Sequence, residues 1–196
     1  MKARQAEVSR QTRETDIKVK LRLDGCGNCR ITTGMPFMDH MLELLGRHAL
    51  VDLQIIAKGD LAVDYHHTVE DIGLVLGQAL NTALGTRKGI VRYGGMLLPM
   101  DESLARVALD LGGRPFLVMR MACRKRKILE FDLRLIEEFL RAFVTEGRLN
   151  LHVEQLYGDE AHHAYEAVFK GIGRALRQAV ALDQREKGVP SSKGTI

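Results

Sequence analysis

Residues 50–70 read LVDLQIIAKGDLAVDYHHTVE, and residues 149–166 read LNLHVEQLYGDEAHHAYE. Leu50 through Gly59-Asp60 aligns without a gap on Leu149 through Gly158-Asp159, and His66-His67-x-x-Glu70 aligns the same way on His162-His163-x-x-Glu166. Each copy is a strand-like run, a turn, and then apolar positions at helical spacing, in the first case Val69, Ile72, Val75, Leu76 and Ala79. A strand–turn–helix block that recurs in this way marks an internal duplication.

Working outward, Ile17-Lys18-Val19-Lys20-Leu21-Arg22-Leu23 alternates apolar with charged residues, the pattern of a half-buried strand. It runs into Asp24-Gly25-Cys26-Gly27-Asn28, whose glycines permit a hairpin turn with a returning strand. Pro36 opens the helical segment FMDHMLELLGRHAL, and the helix that begins at His66 is expected to stop near Gly85. The later half repeats the order, with strands around Ala105 to Leu111 and Pro115 to Met121 ahead of FDLRLIEEFLRAFVTEG and the second block. Gly94-Gly95 and Gly112-Gly113 read as turns. The expected architecture is α+β: two duplicated β-β-β-α-β-α halves, residues 1–94 and 95–196, with mixed or antiparallel sheets side by side and helices packed on one face. The closing GVPSSKGTI resists regular structure.

A chain of 196 residues with 45% hydrophobic content can bury one shared core. No run approaches the roughly 18–20 apolar residues of a membrane helix. The start MKARQAEVSRQTRET lacks the apolar stretch of a secretory signal, so a cytoplasmic location is expected. Cys26 and Cys29 form a lone C-x-x-C, better explained by the turn than by zinc or redox chemistry. The basic run RKRK at 124–127 reads as a solvated strand or loop, and the net charge of +4 suits an anionic small substrate. Nucleic acid is disfavoured, because 5% aromatic content without Trp leaves few stacking surfaces.

On a helix, the Glu of His-His-x-x-Glu lies four residues after one His and three after the other, so it neighbours both. The two imidazoles diverge by about 100° and cannot comfortably share one ion, so the pair is suited to serving two different divalent metals. One such motif would be weak evidence, but four of the seven histidines fall in matching copies. Aligning MDHML (38–42) with EEFL (137–140) pairs His40 with Glu138. Each half then offers four ligands: His40, His66, His67 and Glu70, or Glu138, His162, His163 and Glu166. His48 and His152 fall outside this symmetry and read as surface or structural residues.

These residues resemble the imidazoleglycerol-phosphate dehydratase family from about residue 4 onward. The matching motifs are RETD (13–16), TGMPFMDHML (33–42), DYHHTVEDIGLVLGQAL (64–80), RKGIVRYG (87–94), LPMDESL (98–104), DLGGRP (110–115), AHHAYEAVFKGIGRALRQA (161–179) and PSSKG (190–194). The resemblance implies a ribosomal protein S5 domain 2-like fold and a carbon–oxygen lyase of histidine biosynthesis. Its reaction would remove water from D-erythro-imidazole-glycerol phosphate to give imidazole-acetol phosphate. The resemblance further implies two Mn(II) ions per active site, other divalent metals being possible, on the eight ligands above; ions on both ring nitrogens would make the proton on the adjoining carbon removable. Glu14 is implied as the acid–base residue, and Arg92, Arg114, Lys170, Ser192 and Lys193 as the phosphate-binding set, which gives the C-terminal tail a substrate-binding role. Sites would form between neighbouring subunits of a homo-oligomer of about 24 copies.

Two departures stand out, since Glu138 occupies the place of a family histidine and Glu160 that of a common Asn. The segment MACRKRKILEFD is also shorter and more basic than the family pattern. The rival reading is a divergent, non-catalytic metal-binding assembly protein of the same fold; a metal-dependent hydrolase of a phosphorylated small molecule is a second. A scaffold has no need for Glu14, Arg92, Arg114 and Lys193 around a metal pair, so that set separates it from the enzyme.

Overall fold

The structure, a computed structural model, describes residues 3–196. The first half contains strands β1 (Gln5–Gln11), β2 (Thr15–Arg22) and β3 (Cys29–Thr32), helix α1 (Pro36–Ala49), strand β4 (Asp52–Gly59) and helix α2 (His66–Leu84). The second contains β5 (Tyr93–Met100), β6 (Ser103–Asp110), β7 (Phe116–Arg120), a small β8 (Lys127–Ile128) and β9 (Phe131–Asp132) hairpin, α3 (Leu135–Gly147), β10 (Asn150–Tyr157) and α4 (Ala161–Val180). The duplication extends to topology. The sheets run β1-β2-β4-β3 and β5-β6-β10-β7, and in each the first three strands are antiparallel while the last is parallel to its neighbour.

Local chemistry explains the elements. In β2, Ile17, Val19 and Leu21 are buried while Lys18, Lys20 and Arg22 face out. Helix α1 starts with Pro36, whose missing N–H costs nothing in a first turn, and it buries Met38, Met41, Leu42 and Leu45. Helix α2 ends at Gly85, which takes a positive φ of 54°.

Two of the expected turns do not form. The segment 24–28 is no hairpin turn, because β4 lies between β2 and β3, and β3 pairs parallel to β4. A parallel neighbour needs a crossover, which α1 supplies. The 24–28 loop is pinned by the Asp52 carboxylate, which accepts from the N–H groups of Cys26 (2.9 Å) and Asn28 (3.1 Å). Gly94 and Gly95 lie inside β5 and make no turn. A Cβ on Gly94 would sit 1.9 Å from the Ala175 carbonyl oxygen, so glycine is required there by the close approach of α4.

The halves meet through their helices. Helix α2 packs along α3, and α1 along α4. A Cβ added at Gly73 or Gly77 would fall 2.5 Å or 2.6 Å from the carbonyl oxygens of Phe139 or Phe143, and one at Gly173 would fall 2.7 Å from that of Leu45. Residue numbers rise together along both pairs, so each pair is parallel. The helices thus form an inner layer with a sheet outside on either side, in place of the side-by-side sheets expected from the sequence. The reason lies in α2 and α4, which are apolar on more than one face and need a partner besides their own sheet. Phe139, Phe143 and Phe169 stack at centroid distances of 6.0–6.2 Å within one continuous core. Buried Arg87 donates to the carbonyls of Leu111, Gly147 and Arg148 and to the Asn81 side chain, tying α2, α3 and the end of β6 together. Among the described residues no helix is long and apolar enough to cross a membrane.

Candidate metal centre

Parallel packing of α1 against α4 sets His40 beside the start of α4. His40 Nε2 lies 3.4 Å and His162 Nε2 3.3 Å from Glu166 Oε2, and the two rings are 5.4 Å apart. One ligand atom from each residue falls within 4.8 Å of the others, an N,N,O donor set suited to a divalent transition metal. Glu166 is buried, which opposes its charge, but the ammonium of Lys170 one turn on and the ring of His40 hold its carboxyl below the usual value. The Phe37 ring packs against His162 at 5.8 Å and gives the cluster an apolar wall.

The pseudo-equivalent set, on α2 and α3, is looser. His66 Nε2 is 3.7 Å from Glu70 Oε2. Glu138 lines the same open cleft as His66, Tyr65 and Lys127, but its carboxylate turns toward Arg141, one helical turn on, at 3.9 Å. The two sets share one end of the molecule and are bridged by Phe37, Phe131 and Tyr65, at ring distances of 5.4 Å and 6.2 Å.

His67 and His163 point elsewhere. Each ring stands at 87° to that of the preceding histidine, as adjacent helical positions require. His67 Nδ1 is 3.0 Å from Asp60 Oδ2 and 3.7 Å from Glu14 Oε2, and hydrogen bonding to Asp60 raises its pKa, with the charge of Glu14 adding to it. These three residues form a second group with metal-ligand spacing. His163 Nδ1 is 2.8 Å from Glu102 Oε2, which likewise raises the pKa of the histidine. Hydrogen bonds from His163 and Ser103 push the Glu102 carboxyl down to about 2.

The residues expected to bind phosphate divide between two places. Lys170 reaches Glu166 and, at 3.5 Å, Met100 Sδ, so it stays with the α1–α4 cluster. Arg92 lies at the far end of α4, where its N–H donates to the Ala179 carbonyl. Its guanidinium grips Asp110 (2.7 Å and 3.1 Å) and the Pro190 carbonyl (2.7 Å), and so anchors the tail. Ser192 and Lys193 follow directly, and Ile196 reaches Gly113. Arg114 is exposed in the loop before β7, and its guanidinium makes no ion pair among the described residues. From His162 to Ala179 the helix rises about 25 Å at ~1.5 Å per residue. Within one chain the tail and the histidine clusters are therefore far apart.

Sequence reading missed Asp60 and Glu102. The duplication held the signal for the second, because Glu14 directly precedes Thr15 at the start of β2 as Glu102 precedes Ser103 at the start of β6. Glu160, one of the two departures, caps α4, its side chain accepting from the His162 N–H at 3.0 Å.

A profile of the imidazoleglycerol-phosphate dehydratase family matches residues 33–176. Relatives named imidazoleglycerol-phosphate dehydratase include that of Azorhizobium caulinodans, 56% identical over 194 residues with 98% of each chain covered. That of Moorella thermoacetica is 54% identical over 194 residues, with 99% of each chain covered. Among solved structures, the Staphylococcus aureus subsp. aureus N315 dehydratase gives a TM-score of 0.83 at 39% identity, covering 91% of this chain and 99% of that one. IGPD from Pyrococcus furiosus, in complex with (S)-C348, gives 0.83 at 34% identity, covering 96% and 100%. With most of its length matched by the profile and 98–99% of it covered by relatives more than half identical, this chain belongs to the imidazoleglycerol-phosphate dehydratase family, a family of hydro-lyases.

Proposed function

We propose that the chain eliminates water from D-erythro-imidazole-glycerol phosphate to give imidazole-acetol phosphate, in histidine biosynthesis, at a dinuclear metal site shared between copies. The observation that carries this reading is the cluster of His40, His162 and Glu166, drawn from helices of opposite halves to within 4.8 Å. Its donors fit Mn(II) or a similar divalent ion. When bound, a pair of ions would withdraw charge from the substrate's imidazole ring and so acidify the carbon attached to it.

The chain's own groups then divide the work. His40, His162 and Glu166 would hold one ion, and His66, Glu70 and Glu138 the other, with His67 and His163 completing the sites of neighbouring copies. Glu14 would take the proton, its Oε2 standing beside His67. Arg114, Ser192 and Lys193 would meet the phosphate, with Arg92 holding the tail in place and Lys170 standing near the ions. The separation of about 25 Å along α4 supports a site assembled from more than one copy, consistent with a homo-oligomer of about 24 subunits. Division of the chain at residue 94 into two half-domains, the second with a substrate-binding tail, belongs to the same reading. A cytoplasmic location agrees with three free cysteines.

The test is direct: purified chain reconstituted with Mn(II) is expected to convert imidazoleglycerol phosphate to the acetol. Absence of turnover with Mn, Fe, Co and Zn would reject the enzyme and favour the metal-binding assembly protein.

A further inference from the structure

We infer that Glu102 is the positioning residue for His163, holding Nδ1 so that Nε2 is left as the metal-facing donor, and that Asp60 performs the same task for His67, which leaves Glu14 free for substrate. The inference rests on the dinuclear reading above.

Glu14 and Glu102 occupy equivalent places: each ends the connection between the first two strands of its sheet, and each faces the second histidine of its pair. Equivalent origin predicts equivalent use, yet the geometry separates them. Glu102 is held at both oxygens, since Oε2 takes His163 Nδ1 at 2.8 Å while Oε1 accepts from the Ser103 hydroxyl (2.9 Å) and the Glu160 N–H (3.3 Å). A carboxylate so fixed orients a ring and has no freedom to visit a substrate. In the first half the near partner of His67 is Asp60, at 3.0 Å, and Glu14 stands back at 3.7 Å with its side chain 57% exposed. Asp159, the counterpart of Asp60, makes no side-chain hydrogen bond among the described residues. The orienting carboxylate has thus moved from the strand connection in one half to the β4–α2 loop in the other.

A neutral imidazole whose Nδ1–H is given to a carboxylate presents its lone pair at Nε2. Metal-bound histidines are commonly fixed in this way, and loss of the outer partner typically weakens metal affinity about 10–100-fold. Asp101 lies 3.9 Å from His163 Nε2, too far for a hydrogen bond, so that nitrogen stays open.

The test is Mn(II) binding to the metal-stripped full chain, with free Mn(II) read by electron paramagnetic resonance and assembly size and thermal midpoint measured alongside. Glu102→Ala is expected to weaken one class of site about 10–100-fold and leave the other unchanged, and Asp60→Ala to do the reverse. Glu102→Gln, whose amide oxygen still accepts from Nδ1–H, should recover most of the loss. Glu14→Gln and Asp159→Ala should leave both classes intact. If the wild-type chain binds two classes of ion and Glu102→Ala changes neither by more than about twofold, the positioning role falls and the dinuclear reading stands. Equal weakening of both classes together with a lowered thermal midpoint assigns Glu102 a merely structural part and overturns the proposal. A wild-type chain that binds no divalent metal overturns both.

Discussion

Glu14 has no hydrogen bond from its own carboxylate among the described residues, and its side chain is more exposed than that of any other carboxylate beside the paired histidines except Asp101. That freedom suits proton transfer. Glu14→Gln should lower kcat about 10²–10⁴-fold with metal content unchanged, measured by steady-state turnover beside metal analysis. Glu138 is a different case, since Arg141 competes for its carboxylate. Glu138→His should retain or raise Mn(II) affinity, and a clear fall on metal titration would give Glu138 a tuned role of its own. At His48, burial lowers the pKa from its ordinary 6.5, and the charges of Lys170 and Arg174 lower it further. A depressed value means that the unfolded chain takes up protons first, so stability held above pH 6.5 is lost as pH falls through the lower folded value. Thermal melts between pH 7.5 and about 5 should fall less steeply in His48→Gln than in the parent chain.

Among the elements, the two parallel helix pairs decide where the histidines stand. Gly77 and Gly173 hold corresponding places, each eleven residues after the first histidine of its pair, and each lets a neighbouring helix approach backbone to backbone. At Gly173 a Cβ would meet the Leu45 oxygen at 2.7 Å, His48 Cβ at 2.9 Å and the Ala49 nitrogen at 3.0 Å. Since two of these are backbone atoms, α1 itself must move. Gly173→Ala should cost about 1–3 kcal/mol, read by denaturant unfolding, and should also weaken metal binding by parting His40 from His162. The strand pattern was only partly legible at this scale. Lys18, Lys20 and Arg22 announced β2, but β1 offers only Ala6 and Val8 as inward apolar residues, and β5 carries two glycines that resemble a turn until α4 is seen against them.

Across the whole molecule, helix starts carry the metal-type ligands and helix ends carry the tail. Arg92 binds Pro190 at the end of α4, and Ile196 lies in the cleft formed by Gly85, Arg87 and Arg148 at the ends of α2 and α3. A catalytic unit that needs Glu14 and Lys193 together must draw them from different copies. Two inactive variants, Glu14→Gln and Lys193→Ala, dissociated and reassembled as an equal mixture, should regain up to about a quarter of parental activity, because random assembly leaves that share of sites intact. A mixture as inactive as its components would place both residues in one chain's site.

By itself the sequence determined the duplication, the α+β class, the helices that carry His66-His67 and His162-His163, and the family, because these depend on local periodicity and on residue identity, which a linear chain displays. Tertiary structure alone decided that β4 separates β2 from β3, that helices rather than sheets join the halves, and that Asp60 and Glu102, rather than Glu14, hold His67 and His163. Those outcomes depend on which surfaces meet. A carboxylate's partner is chosen by distances of a few tenths of an ångström between segments as remote as residues 102 and 163, and spacing along the chain carries no measure of such distances.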